Sequence, residues 1–183
     1  MFLVREVLSE DIYNYYPPIS DIGENDMSYR FKLVGVSGTF DRLHIGHKAL
    51  LRKAFEVSER VMIGLTTYRM IRHKTLANKI ESYELRKQKL EEFLRVGGCQ
   101  ERFEIISLDD PYGPAILDSG LEALVATEET LPGVQKINMI RKEKGLPPLE
   151  IVLAPIILDQ NGQRISSTKI REGKIDAQGK VLN

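Results

Sequence analysis

From Phe31 onward, short apolar runs alternate with stretches in which apolar residues recur every three or four positions. That alternation is the pattern of strand–helix–strand units built around a parallel sheet. The apolar runs predict five strands, at 32–36, 60–65, 103–107, 123–126 and 150–153. A first helix is expected over 47–57, with Leu50, Leu51, Ala54, Phe55 and Val57 on one side and Lys48, Arg52, Lys53 and Glu56 on the other. Ser82 is the N-cap of a second helix whose Leu85, Leu90, Phe93, Leu94 and Val96 form a stripe, and Gly97 with Gly98 offers a left-handed stop. Pro132 fits the first turn of a third helix running through Ile137 and Ile140 to Lys144, where Gly145 and Pro147 end it. Another turn or two begins near Ser166, and Asp109-Asp110-Pro111-Tyr112-Gly113-Pro114 reads as a rigid loop after the third strand. The expected class is α/β, an open sheet of about five parallel strands with helices on both faces.

Residues 1–30 lack this periodicity. Tyr13, Tyr15, Tyr16, Pro17 and Pro18 precede Asp21, Gly23, Glu24, Asn25 and Asp26, and two arginines face six carboxylates, leaving the stretch at −4 and the remainder at +4. We read 1–30 as an acidic N-terminal extension of unassigned role and 31–183 as one domain. Composition then removes several classes. A chain of 183 residues has room for a real core. With 26 Lys+Arg against 26 Asp+Glu there is no basic field to hold nucleic acid by its phosphates. No apolar run approaches the ~20 residues of a membrane helix, and Arg5, Glu6 and Glu10 interrupt what would be the core of a signal peptide, so a cytoplasmic location is expected. Cys99 has no cysteine to pair with, and His44, His47 and His73 are too few for a Cys/His zinc site.

The chemistry concentrates in two stretches. Val36-Ser37-Gly38-Thr39-Phe40-Asp41-Arg42-Leu43-His44-Ile45-Gly46-His47 leaves the first strand and opens the first helix. Ligands of open α/β sheets bind at that edge, and a helix starting there points backbone N–H groups at anything anionic. Gly38 lets the backbone approach a ligand, and Gly46 leaves room over the first helical turn for a flat base or sugar. His44 and His47, three apart, can meet one phosphoryl group, with Thr39 adding a hydroxyl. Phosphoryl and nucleotidyl transfer asks for such groups, because the work is alignment and charge stabilisation. The second stretch, Arg164-Ile165-Ser166-Ser167-Thr168-Lys169-Ile170-Arg171, places three hydroxyls at a helix start, where they can hold a polyphosphate with Arg164, Lys169 and Arg171 as countercharges.

Together these two motifs resemble the signatures of the nucleotidyltransferase superfamily, which also contains the class I aminoacyl-tRNA synthetases. Arg69-Met70-Ile71-Arg72-x-Lys74, Tyr83-Glu84-Leu85-Arg86, Thr127-Glu128-Glu129-Thr130, Ile137-Asn138-x-x-Arg141 and Leu149-Glu150-Ile151-Val152 narrow the likeness to archaeal phosphopantetheine adenylyltransferases. The chain is also similar to the adenylyltransferase domain of eukaryotic coenzyme A synthase, including Asp110-Pro111-Tyr112-Gly113-Pro114. The resemblance implies a Rossmann-like sheet and transfer of AMP from ATP to 4′-phosphopantetheine, giving dephospho-coenzyme A and pyrophosphate with Mg2+ assisting. It implies that Thr39, His44 and His47 contact the α-phosphate and that Ser37, Gly38, Phe40 and Gly46 line the nucleotide site. Ile165, Ser166, Ser167 and Thr168 would receive the β- and γ-phosphates. A lysine between the second strand and second helix holds the acceptor phosphate in this family. Lys74 and Lys79 both lie in that segment, with Lys74 preferred. The arginine pair that bacterial relatives carry after the fourth strand is replaced by Thr127-Glu128-Glu129-Thr130, which leaves Arg141 as candidate counterion and Glu128 and Glu129 as a solvated pair.

The expected partners are therefore small molecules, with no nucleic acid and no membrane, and the chain is expected as a monomer or small homo-oligomer. Two other readings remain open. A sibling nucleotidyltransferase, a cytidylyltransferase or FAD synthetase, would keep both histidines and change the acceptor and base. Of another class is a non-catalytic nucleotide-binding regulator.

Overall fold

The computed structural model describes residues 29–182 and the two-residue strand β1 (Val7–Leu8). The rest of the expected acidic extension lies outside the described residues. In chain order follow β2 (Phe31–Gly38), α1 (Ile45–Val57), β3 (Ser58–Thr66), α2 (Tyr68–Ile71) and a 3-10 turn at Ala77–Lys79. Next come α3 (Tyr83–Val96), β4 (Phe103–Leu108), a 3-10 turn at Gly113–Ile116, β5 (Ala123–Ala126) and α4 (Leu131–Glu143). The described chain closes with β6 (Glu150–Leu153), β7 (Ile157–Leu158) and α5 (Ser167–Arg171).

Five strands form one parallel sheet in the order β4-β3-β2-β5-β6, with Val36 of β2 opposite Ile63 of β3 and Val125 of β5. Strand order reverses between β2 and β5, and the carboxyl ends of those two strands frame the crevice where such sheets receive ligands. The five expected strands are all present, and β2 runs on to Gly38, so Ser37 and Gly38 are strand residues rather than loop. Two short strands that the sequence pattern did not reveal, β1 and β7, pair parallel as a separate two-stranded sheet.

The alternation of side chains along each strand divides the core. Val34, Val36, Ile63, Leu65, Ala123 and Val125 face Leu51, Ala54 and Phe55 of α1 and Leu90 and Leu94 of α3. On the other face Leu124 and Ala126 pack with Leu121 against Val134 and Ile137 of α4. A Cβ at Gly64 would lie 2.4 Å from Leu108, so glycine there lets that leucine lie against the sheet. Helix ends follow their sequence signals: Ser82 caps α3 through Leu85 N, and Gly98 and Gly145 take left-handed φ values of 76° and 73° just past α3 and α4. Among the described residues no helix is long and apolar enough to cross a membrane.

Candidate active site

α1 begins at Ile45, two residues earlier than expected, because His44 supplies its cap. The backbone of His44 is extended, and its Nδ1 accepts a hydrogen bond from His47 N at 3.3 Å, while His47 Nδ1 accepts from His44 N at 3.5 Å. This is a reciprocal capping box made of two imidazoles. It also fixes tautomers, since a nitrogen that accepts carries no proton and the proton of a neutral ring must then sit on Nε2. The rings stack with centroids 3.7 Å apart and 18° between planes. Burial, reinforced by the Arg164 charge, lowers the His44 pKa from 6.5 to about 3. Burial also holds His47 well below its usual value, with His44, Arg164 and Lys74 acting in the same direction. Near neutral pH both rings are therefore uncharged Nε2–H donors lining the crevice.

Neighbouring residues hold this pair in place. A Cβ at Gly46 would come within 3.1 Å of the His44 ring. Phe40, fully buried, sits at a φ of 49° and presents its ring to His47 at 5.3 Å and 61°. A left-handed phenylalanine is a costly conformation, maintained where packing over-determines it.

Thr39 leaves β2 at the crevice floor, where its Oγ1 accepts from Lys74 Nζ at 2.6 Å and from Thr66 Oγ1 at 3.2 Å. Its carbonyl accepts from Arg86 Nη1 at 2.7 Å, and the same buried guanidinium donates to Thr66 O and Glu81 O, both at 3.0 Å. Arg86 thus ties the ends of β2 and β3 to the start of α3. The sequence reading gave it no role, and its position one turn past the Ser82 cap was the available signal. Lys74 lines the crevice, whereas Lys79 is exposed and does not line it, and its carbonyl accepts from Arg42 Nη2. Burial, then the charges of Arg171 and Arg86, lower the Lys74 pKa, with Asp41 opposing.

The two motifs meet. Ser167 Oγ donates to Asp41 O at 2.8 Å across 126 residues of sequence, and Arg171 Nη1 donates to the buried Asp41 carboxylate at 2.5 Å. Asp41 Oδ1 also accepts from Glu81 N. All three hydroxyls line the crevice, each with a partner in the protein: Ser166 accepts from Lys169 N as the cap of α5, Ser167 binds Asp41, and Thr168 accepts from Arg171 Nη2. Ile165 is buried, and its N–H donates to Ile157 O at 3.0 Å. Ser37 and Gly38 also line the crevice.

Arg141 requires a correction. It is fully buried away from the crevice, and its guanidinium donates to Pro147 O, Ala115 O and Asp118 O, so it braces the α4 side of the sheet. It shares the buried stripe of α4 with Val134 and Ile137, and a charged residue type is rarely expected at such a position. Glu129 is not simply solvated: its carboxylate pairs with Arg164 across the mouth of the crevice.

The crevice has a volume of about 910 Å³, within the range that holds a nucleotide and a second substrate. Among the described residues no three His, Cys, Asp or Glu side chains gather to hold a metal ion. Its carboxylates, Asp41 and Glu129, each face an arginine. Such a donor set fits a magnesium ion carried mainly by substrate phosphates and water, the usual arrangement for that ion.

Comparison with known proteins agrees with this geometry. Residues 36–173 match the family model described as cytidylyltransferase-like. The chain is 50% identical over 153 residues to a phosphopantetheine adenylyltransferase of Pyrococcus abyssi, covering 84% of this chain and 97% of that one. It is 48% identical over 157 residues to a phosphopantetheine adenylyltransferase of Thermococcus kodakarensis, covering 86% and 94%. Its fold is similar to that of a tyrosyl-tRNA synthetase of Archaeoglobus fulgidus in complex with L-tyrosine, with a TM-score of 0.56 at 13% identity, covering 79% of this chain and 60% of that one.

Proposed function

This chain belongs to the cytidylyltransferase-like family, among the archaeal phosphopantetheine adenylyltransferases, and on that premise we propose that it transfers AMP from ATP to 4′-phosphopantetheine, yielding dephospho-coenzyme A and pyrophosphate. The observation that carries the reading is the direct joint between the motifs, Ser167 and Arg171 on Asp41, which sets the hydroxyl cluster and the imidazole pair around one crevice.

In this reading the acceptor's phosphate oxygen attacks the α-phosphorus of ATP as the bond to the bridging oxygen of pyrophosphate breaks. That oxygen is already ionised near neutral pH, so no general base is needed and positioning carries the reaction. His44 and His47, as neutral Nε2–H donors, stabilise the charge gathering on the α-phosphate oxygens, where preorganised donors act most strongly. Lys74, held on Thr39, binds the acceptor phosphate beside them. Ser166, Ser167 and Thr168 hold the β- and γ-phosphates. Magnesium, bound to those phosphates, would supply further charge neutralisation.

Pyrophosphate release measured with ATP or CTP, each with and without 4′-phosphopantetheine, tests the reading. Release with ATP and strictly dependent on the acceptor is expected. Release with CTP and glycerol phosphate would replace it with a sibling transferase, and nucleotide binding without turnover would replace it with a regulator.

A further inference from the structure

We infer that Arg164 is the triphosphate counterion of this active site and that Glu129 is its latch, holding the guanidinium over the crevice mouth until phosphate displaces it. The inference rests on the nucleotidyl-transfer reading and deepens it: of the three countercharges of the second motif it selects Arg164, and it adds Glu129, a residue of neither motif, as the group that competes for it.

Among the described residues, three lysine or arginine side chains line the crevice: Lys74, Arg164 and Arg171. Lys74 is engaged on Thr39, and Arg171 is buried between Asp41, Thr75 O and Thr168. Arg164 differs, because its partner is the half-exposed carboxylate of Glu129 on the opposite lip, where β5 gives way to α4. Its backbone, by contrast, is fixed. Leu158 and Arg164 form an antiparallel bridge, and the buried Asp159 carboxylate accepts from Asn161 N, Gln163 N and Lys169 Nζ, which locks the intervening turn onto α5. A rigid base with a solvent-screened side-chain partner is what an exchangeable contact needs.

An exposed ion pair is weak, whereas a guanidinium meets phosphate through two parallel charge-assisted bonds. An arriving triphosphate therefore takes Arg164 from Glu129. Arg164 lines the same crevice as both imidazoles, and its charge acts on them. The exchange also runs backward: as pyrophosphate departs, Glu129 reclaims the arginine and competes against product. Arg164 thus brings a cation to the Thr127-Glu128-Glu129-Thr130 lip, which carries none of its own.

The test is calorimetric titration of the full-length protein with inorganic pyrophosphate and with a non-hydrolysable ATP analogue, with and without magnesium. Arg164→Ala should weaken both ligands by about tenfold or more, the scale of lost charge-assisted hydrogen bonds. Glu129→Gln should tighten both by about threefold, as removal of a weak exposed competitor does. In the Arg164→Ala background Glu129→Gln should change nothing, and all variants should melt within a few degrees of the parent. Affinities for Arg164→Ala within twofold of the parent, or an equal effect of Glu129→Gln in both backgrounds, would overturn the latch. Weakening by Glu129→Gln only when magnesium is present would make Glu129 a metal ligand instead. If pyrophosphate behaves as expected while the ATP analogue does not bind, the latch stands and the adenylyl-transfer reading fails.

Discussion

Removing the His47 ring takes away one donor aimed at charge that develops only during transfer. His47→Ala should therefore lower kcat by ~10²-fold or more while the KM for ATP moves far less; equal losses in both would place the ring in ground-state binding. His44 carries a pH signature as well. Its folded pKa of about 3 lies below its ordinary 6.5, so between those values the unfolded chain binds the extra proton. The stability it contributes is complete above 6.5 and is lost as pH falls toward 3. The melting temperature should drop from neutral pH to about pH 5. His44→Asn, which keeps a capping acceptor without a titrating ring, should flatten that drop; an unchanged slope would show that the imidazole is not the proton acceptor.

At the scale of elements, the site depends on one buried pair more than on any single strand. Asp41 and Arg171 are both buried, and between them they connect the loop after β2, α5 and the segment around Thr75. Asp41→Asn would leave the guanidinium charge uncompensated in the interior, and a loss of ~3 kcal/mol or more in urea unfolding is expected. A cost under ~1 kcal/mol would mean that solvent already reaches the pair. The sequence pattern revealed the five sheet strands and three long helices because each carries enough residues for its period to be read. It did not reveal β7 or α2, which are two and four residues long and too short for any period. The roles of Arg86 and Arg141 escaped for a different reason. Both are arginines, a residue type that is almost never fully buried unless paired, and only the fold shows that each donates to three backbone carbonyls in the interior.

For the whole molecule, every crevice residue argued to act lies between Ser37 and Arg171, inside the span matched by the family model. The 31–183 reading of the domain predicts that a chain lacking residues 1–30 keeps its rate of pyrophosphate release. Loss of activity with a retained melting transition would assign the acidic segment a part in catalysis. The two motifs were legible as chemistry from residue types and spacing alone, but that they share one crevice depends on a contact spanning 126 residues, and local pattern contains no distance of that kind. The most direct test is a crystal structure with a non-hydrolysable ATP analogue. The account predicts α-phosphate oxygens within hydrogen-bonding reach of Nε2 of His44 and His47, and the β- and γ-phosphates on Ser166, Ser167 and Thr168. A triphosphate that touches one cluster and leaves the other facing water would contradict it.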